Sequence, residues 1–194
     1  MQIEIRTDGA HISGYVNATE KKSRPVVTPH GRVIEEIEPR AFQNALDRAE
    51  NVAMTKDHGD SVLAETRAGT LRLYEDNIGL YADAVVTDEQ TIEEARAGKI
   101  RGWSFGMRNV KDTVEARADG ELPLRKITGF DIDHITLVVK KTPIYSATSV
   151  EVRAQEETIV ETRASEQETH VVDSEPRPAF DYSPYRARVD AIKK

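Results

Sequence analysis

The sequence predicts a mainly β protein with a few helices, folded as a closed or nearly closed antiparallel β-barrel and followed by a flexible C-terminal tail. Three observations predict it. Short β-branched and aromatic runs separated by turn residues recur through residues 1–153. Two stretches carry helical spacing, and they do not alternate with strands in the βαβ manner that builds parallel sheets. Beyond Arg153 the composition shifts: residues 154–175 hold seven acids against one base and no aromatic side chain. Such a stretch buries too little apolar surface to offset its ordering entropy, so it reads as an acidic flexible linker.

The elements follow in order. Ile3 and Ile5, then Ile12, Tyr15 and Val16, suit opening strands. Pro39 suits a first helical position, with Phe42, Ala45, Leu46 and Ala49 behind it at helical spacing. The run Val52-Ala-Met-Thr-Lys-Asp-His ends at Gly59, which places His58 at a strand end. Leu71–Tyr74 and Gly79–Val86 flank Glu75-Asp76-Asn77 as a hairpin. Thr87 with Gln90 forms a capping box for a second helix, and Gly98 stops it. Phe130-Asp-Ile-Asp-His-Ile-Thr-Leu-Val-Val139 is a strand by its β-branched content. Residues 1–153 thus form the folded domain, 154–175 the linker and 176–194 a short terminal segment. In that last segment Tyr182, Tyr185, Val189 and Ile192 mark one face of a short helix among basic residues. The stripe is either a docking peptide or a frayed terminus.

Composition narrows the function classes. Lysine plus arginine total 27 against 34 acids, a formal net charge of −7, the wrong sign for a protein that wraps nucleic-acid phosphate. Cysteine is absent, which removes disulfides, thiolate metal sites and a cysteine nucleophile. Uninterrupted apolar runs stop at three residues, so neither a membrane span nor a secretory signal is expected.

The richest segment is Ile100-Arg-Gly-Trp-Ser-Phe-Gly-Met107. As a strand it directs Trp103, Phe105 and Met107 to one face and Ser104 to the other, between Gly102 and Gly106. Glycines inside a strand mark places where a ligand or another backbone comes close. Ser104 is therefore either a nucleophile on display or a small serine on a two-faced strand, and the segment alone leaves both open. Five histidines could serve it: His11, His30, His58, His134 and His170. His30 sits in a Pro/Gly-rich loop and His170 in the linker, while His11 lies in an early strand. His58 and His134 are the strand-borne pair that could supply a base and an orienting group. A metal site is not expected, since no third or fourth ligand at suitable spacing accompanies the two histidines.

Five stretches in order resemble the prohead (capsid maturation) proteases of tailed phages, relatives of the herpesvirus assemblin serine proteases. They are Ile37-Glu-Pro-Arg-Ala-Phe42, Lys56-Asp-His-Gly59, Gly69-Thr-Leu-Arg-Leu73 with Gly79-Leu80, Gly98-Lys-Ile-Arg-Gly-Trp-Ser-Phe-Gly106, and Asp131-Ile-Asp-His-Ile-Thr136 with Pro143-Ile-Tyr145 and Thr148-Ser-Val150. The resemblance implies a barrel of the herpesvirus-protease type. It places the nucleophile on Ser104, the base on His58 and the third member on His134, where the phage branch commonly has a glutamate and assemblins a histidine. Asp133 is expected on the opposite face of a regular strand and is the weaker candidate. An arginine pair that supports the assemblin oxyanion has a broad counterpart in Lys140 and Lys141, which on their own suit a solvated strand end better.

The same resemblance implies an endopeptidase, without a cofactor, that cleaves scaffolding segments, the major capsid protein and itself inside an immature capsid in the host cytoplasm. Self-association is a further implied contact; nucleic acid and membrane are not. Ala164-Ser165 is the expected self-cleavage site, with Ala154-Gln155 second, because Val152-Arg-Ala-Gln-Glu-Glu and Thr162-Arg-Ala-Ser-Glu-Gln echo each other. The alternative is a non-catalytic capsid-assembly factor that keeps the fold and uses only its tail.

Overall fold

The computed structural model describes residues 1–28, 31–118, 120–139, 150–152 and 159–174. Period-two apolar patterning lays down the first two strands. In β1 (Gln2–Arg6) Ile3 and Ile5 are buried, and in β2 (Gly9–Ala18) Ala10, Ile12 and Val16 are buried. β3 (Val26–Thr28) and β4 (Gly31–Ile37) pair antiparallel, and α1 (Ala41–Arg48) follows. Pro39 lies before that helix rather than within it. Arg40, at φ 69°, turns the chain into the helix. No side chain at that position caps it. The Glu75 carboxylate instead accepts from Arg40 N at 2.6 Å and Gln43 N at 2.7 Å, so the cap arrives from a distant strand. Ala41, Phe42 and Ala45 are the residues α1 buries.

Next come β5 (Ala53–Lys56), β6 (Ala64–Glu65), and the expected hairpin of β7 (Leu71–Glu75) and β8 (Gly79–Val86). Asp76 Oδ1 closes its turn by accepting from Ile78 N at 2.8 Å and Gly79 N at 3.1 Å. α2 (Glu89–Arg96) begins one residue later than the Thr87–Gln90 pattern predicts. Asp88 is its N-cap and accepts from Thr91 N at 2.8 Å. Gly98, at φ 62°, ends it as expected. Two long strands, β9 (Gly102–Glu115) and β10 (Leu124–Val138), dominate the second half, and β11 (Val150–Val152), β12 (Ile159–Glu166) and β13 (His170–Asp173) follow.

The strands form two sheets. One has the order β13-β1-β2-β8-β7; the other has β11-β12-β9-β10-β4-β3, with β5 parallel to β10 and β6 on β5. Trp103, Phe105 and Met107 lie fully buried with Ile3, Ile12, Leu80, Phe42 and Phe130 in one hydrophobic core. Phe42 meets Phe105 and Phe130 edge-on, at 5.2 Å in each case. Mainly β with two helices is the architecture among the described residues. The expected closure is not among their pairings, because neither sheet comes round on itself and no strand pairing joins the two.

The acidic stretch departs furthest from expectation. β12 pairs antiparallel with β9, and β13 pairs parallel with β1. Val160, Thr162 and Arg163 are buried there. The charge that argued for a flexible linker is absorbed in ion pairs: Glu161 accepts from Arg125 at 2.7 Å and from Arg163 at 2.6 Å, and Asp173 takes Arg96 at 3.2 Å. The terminal stripe from Tyr182 to Ile192 lies outside the described residues.

Candidate active site

A break in one strand builds the site. In β10, Phe130 and Ile132 face the core, and a regular strand would send His134 the same way. The ladder with β9 instead steps from Ile132↔Met107 to His134↔Gly106, leaving Asp133 as an extra residue. That bulge reverses the alternation, so Ile135 and Leu137 now line the core while His134 and Thr136 turn to the other face. Ser104 stands opposite Thr136, and Gly106 opposite His134. The serine, the histidine and the glycine between them therefore share one face.

His58 reaches that face from the end of β5. Asp57 and His58 both adopt left-handed backbone conformations, at φ 49° and 58°. Asp57 and His58 are tied to β10, and Gly59 back to Lys56. Asp57 N donates to Leu137 O at 2.9 Å, His58 N to Thr136 Oγ1 at 3.1 Å, and Gly59 N to Lys56 O at 2.8 Å. The Asp57 carboxylate also accepts from Val139 N at 2.8 Å. Two strained residues held by their surroundings are what a positioned side chain requires.

The imidazoles meet directly. His58 Nδ1 lies 2.7 Å from His134 Nε2, with the rings edge-to-face at 5.0 Å between centroids. His134 Nδ1 in turn lies 2.6 Å from Asp133 Oδ2, and Arg108 pairs with the other carboxylate oxygen. A carboxylate can only accept, so His134 carries its proton on Nδ1 and presents a bare Nε2. His58 must then donate from Nδ1, which leaves its Nε2 as a lone pair. Burial first, and the neighbouring His134 second, push the His58 pKa down to about 4, so the ring is neutral at pH 7.

Gly106 is indispensable to this packing. A Cβ there would sit 2.8 Å from His134 Cε1, closer than real Cβ contacts come. Asp133, set aside on the premise of a regular strand, belongs to the site because the strand is not regular. Nothing in the local sequence marks the bulge.

Ser104 is fully buried. Its hydroxyl donates to Arg163 O on β12 at 2.8 Å, and no hydrogen bond joins it to His58. Ala164 stands across from Ser104, and Ser165 across from Trp103. Lys140, Lys141, Ala154 and Gln155 lie outside the described residues, as does His30. His11 bonds Asp8 at 3.0 Å, and His170 lies on β13, both away from the His58–His134 pair. Among the described residues there is no group of three or more metal-ligating side chains, and no helix is long and apolar enough to cross a membrane. A hollow of about 490 Å³, lined by Arg6, Asp8, Glu89 and Arg96 among others, opens at the start of α2 rather than at the histidines.

No curated protein and no solved structure matches the chain. A sequence model of the family described as Caudovirus prohead serine protease matches residues 1–163. That match takes in Ser104, His58, His134 and the whole β9–β10 ladder, and on it the chain belongs to the Caudovirus prohead serine protease family.

Proposed function

We propose that the chain is a capsid-maturation serine endopeptidase that works through Ser104, His58 and His134, with Asp133 orienting His134. The observation that carries this reading is the His58 Nδ1 to His134 Nε2 contact at 2.7 Å, on the sheet face that Ser104 shares. His58 Nε2 takes the Ser104 proton as the hydroxyl attacks a peptide carbonyl, then returns it to the leaving amine. His134 and Asp133 hold the tautomer that keeps Nε2 bare and stabilise the imidazolium as it forms. Lys140 and Lys141, which lie outside the described residues, are the oxyanion support that the family resemblance implies.

Family membership supports action in the prohead, inside the host cell. The substrates are scaffolding segments, the amino-terminal region of the major capsid protein, and the chain itself around Ala164 and Ser165. One observation favours the alternative of a non-catalytic assembly factor: the Ser104 hydroxyl is buried and already committed to Arg163 O. Co-expression with the neighbouring capsid and scaffold proteins separates the two. Shortened products by intact mass in wild type, absent in Ser104→Ala and in His58→Ala, establish the protease. Identical masses with normal assembly would leave the assembly factor.

A further inference from the structure

The strand that covers Ser104 carries a pattern of its own. β12 lies antiparallel on β9, which is how an extended peptide adds to a sheet for recognition by its backbone. The carbonyl that reaches the Ser104 hydroxyl, at 2.8 Å, belongs to the Arg163–Ala164 peptide bond, one residue before the Ala164-Ser165 bond the sequence suggests. The Arg163 side chain is 8% exposed. Glu35 on β4 grips it with both oxygens, accepting from Nε at 2.5 Å and from Nη2 at 2.7 Å. Glu35 is itself 4% exposed, and Arg125 Nη1 completes its contacts at 2.8 Å. A buried carboxylate meeting a guanidinium with two parallel bonds is specific for arginine in shape as well as charge.

We propose that β12 sits in the register of a substrate strand and that Glu35 is the specificity-determining residue, selecting arginine on the acyl side of the cleaved bond. The inference rests on the endopeptidase reading above. Substrate strands compete with β12 for the β9 edge, and the chain's own Arg163–Ala164 bond is the first to be presented. In the step, Ser104 Oγ attacks the Arg163 carbonyl carbon while His58 takes the hydroxyl proton. The bond from that carbon to Ala164 N breaks as His58 protonates the departing amine. Water then hydrolyses the ester, leaving an Arg163 carboxylate and a free Ser104 hydroxyl.

The test incubates full-length wild type and Ser104→Ala with a peptide library and reads new termini by mass spectrometry. Ser104-dependent cuts are expected to follow arginine, the self-product ending at Arg163 among them. A peptide spanning residues 159–167 should lose about 100-fold in kcat/KM when its arginine becomes glutamine, because Glu35 stays buried but loses both bonds of its bidentate pair, keeping only Arg125. In Glu35→Gln the preference for arginine over glutamine should collapse. Glu35 also holds Arg125, so the peptide comparison on wild type decides the matter if that variant fails to fold. Ser104-dependent cuts without preference for arginine would overturn the inference and leave the endopeptidase standing. No Ser104-dependent cut at all would overturn both.

Discussion

Replacing Gly106 with alanine places a single methyl group against the histidine relay. The new Cβ would lie 2.8 Å from His134 Cε1, 2.9 Å from its Nδ1 and 3.2 Å from Val160 Cγ1. Ordinary contact begins near 3.4 Å, so the ring must retreat by about 0.6 Å. It has little freedom to do so, being bonded to His58 at 2.7 Å on one side and Asp133 at 2.6 Å on the other. Overpacking of this kind costs about 1–3 kcal/mol, which for a chain of this length lowers Tm by roughly 3–9 °C. Displacement of an orienting group by a good part of an ångström costs on the order of 10²-fold in kcat. The assays are a thermal melt and hydrolysis of the peptide spanning residues 159–167. Gly129→Ala is the control, since the nearest atom to a Cβ there is Lys111 Cδ at 4.0 Å. Turnover by Gly106→Ala within about twofold of wild type would refute the argument that His134 acts through its position.

Three further perturbations follow from the geometry. Asp133→Asn offers His134 Nδ1 an amide that can donate, which reverses both imidazole bonds and puts the proton on His58 Nε2; kcat should fall by about 10²-fold with KM little changed, and a parallel loss in KM would contradict it. His58, pushed down to about 4, should keep kcat/KM from falling until pH drops through that value, where an ordinary histidine would fail near 6.5. Its effect on stability has the same sign. The unfolded chain binds that proton below about pH 6.5 and the folded one does not until about 4, so about 2 kcal/mol, allowing for partial solvent exposure, is present above 6.5 and lost on the way down. Melts of wild type against His58→Gln across that window measure it. Glu75→Ala removes the cap from α1 and should cost about 1–2 kcal/mol in a urea titration, with no effect on the histidine contacts.

The strand that carries Ser104 was legible from the residues alone. Aromatic and sulfur side chains at 103, 105 and 107 alternate with small ones, and period-two alternation is a local property. The Gly98 stop was legible for the same reason, since a residue at positive φ after a helix leaves a glycine behind. What stayed hidden depends on distant partners. The bulge at Asp133 is set by the ladder with β9 and has no composition of its own. The cap of α1 comes from Glu75, more than thirty residues away, so Pro39 was an uninformative guide. Residues 159–173 look disordered by charge count because their neutralising arginines, Arg96 and Arg125, lie on other elements. A local rule for disorder fails where acids find buried or half-buried cations across the fold.

The parallel pairing of β1 with β13 sets the order in which the molecule can finish folding. Gln2 stands beside His170, and the Met1 amino group donates to Glu168 O at 3.1 Å, a contact between residues 167 positions apart. Until residues 170–173 exist as chain, β1 keeps one edge of unpaired backbone groups, and until residues 159–166 do, β9 lacks the strand that covers Ser104. Contacts of such long range make for a high contact order and slow closure. A chain leaving the ribosome from its amino end completes both edges only once residues 159–173 have emerged. Ser104, His58 and His134 all precede the strand that covers Ser104, so during synthesis the face they share forms before β12 can close over it.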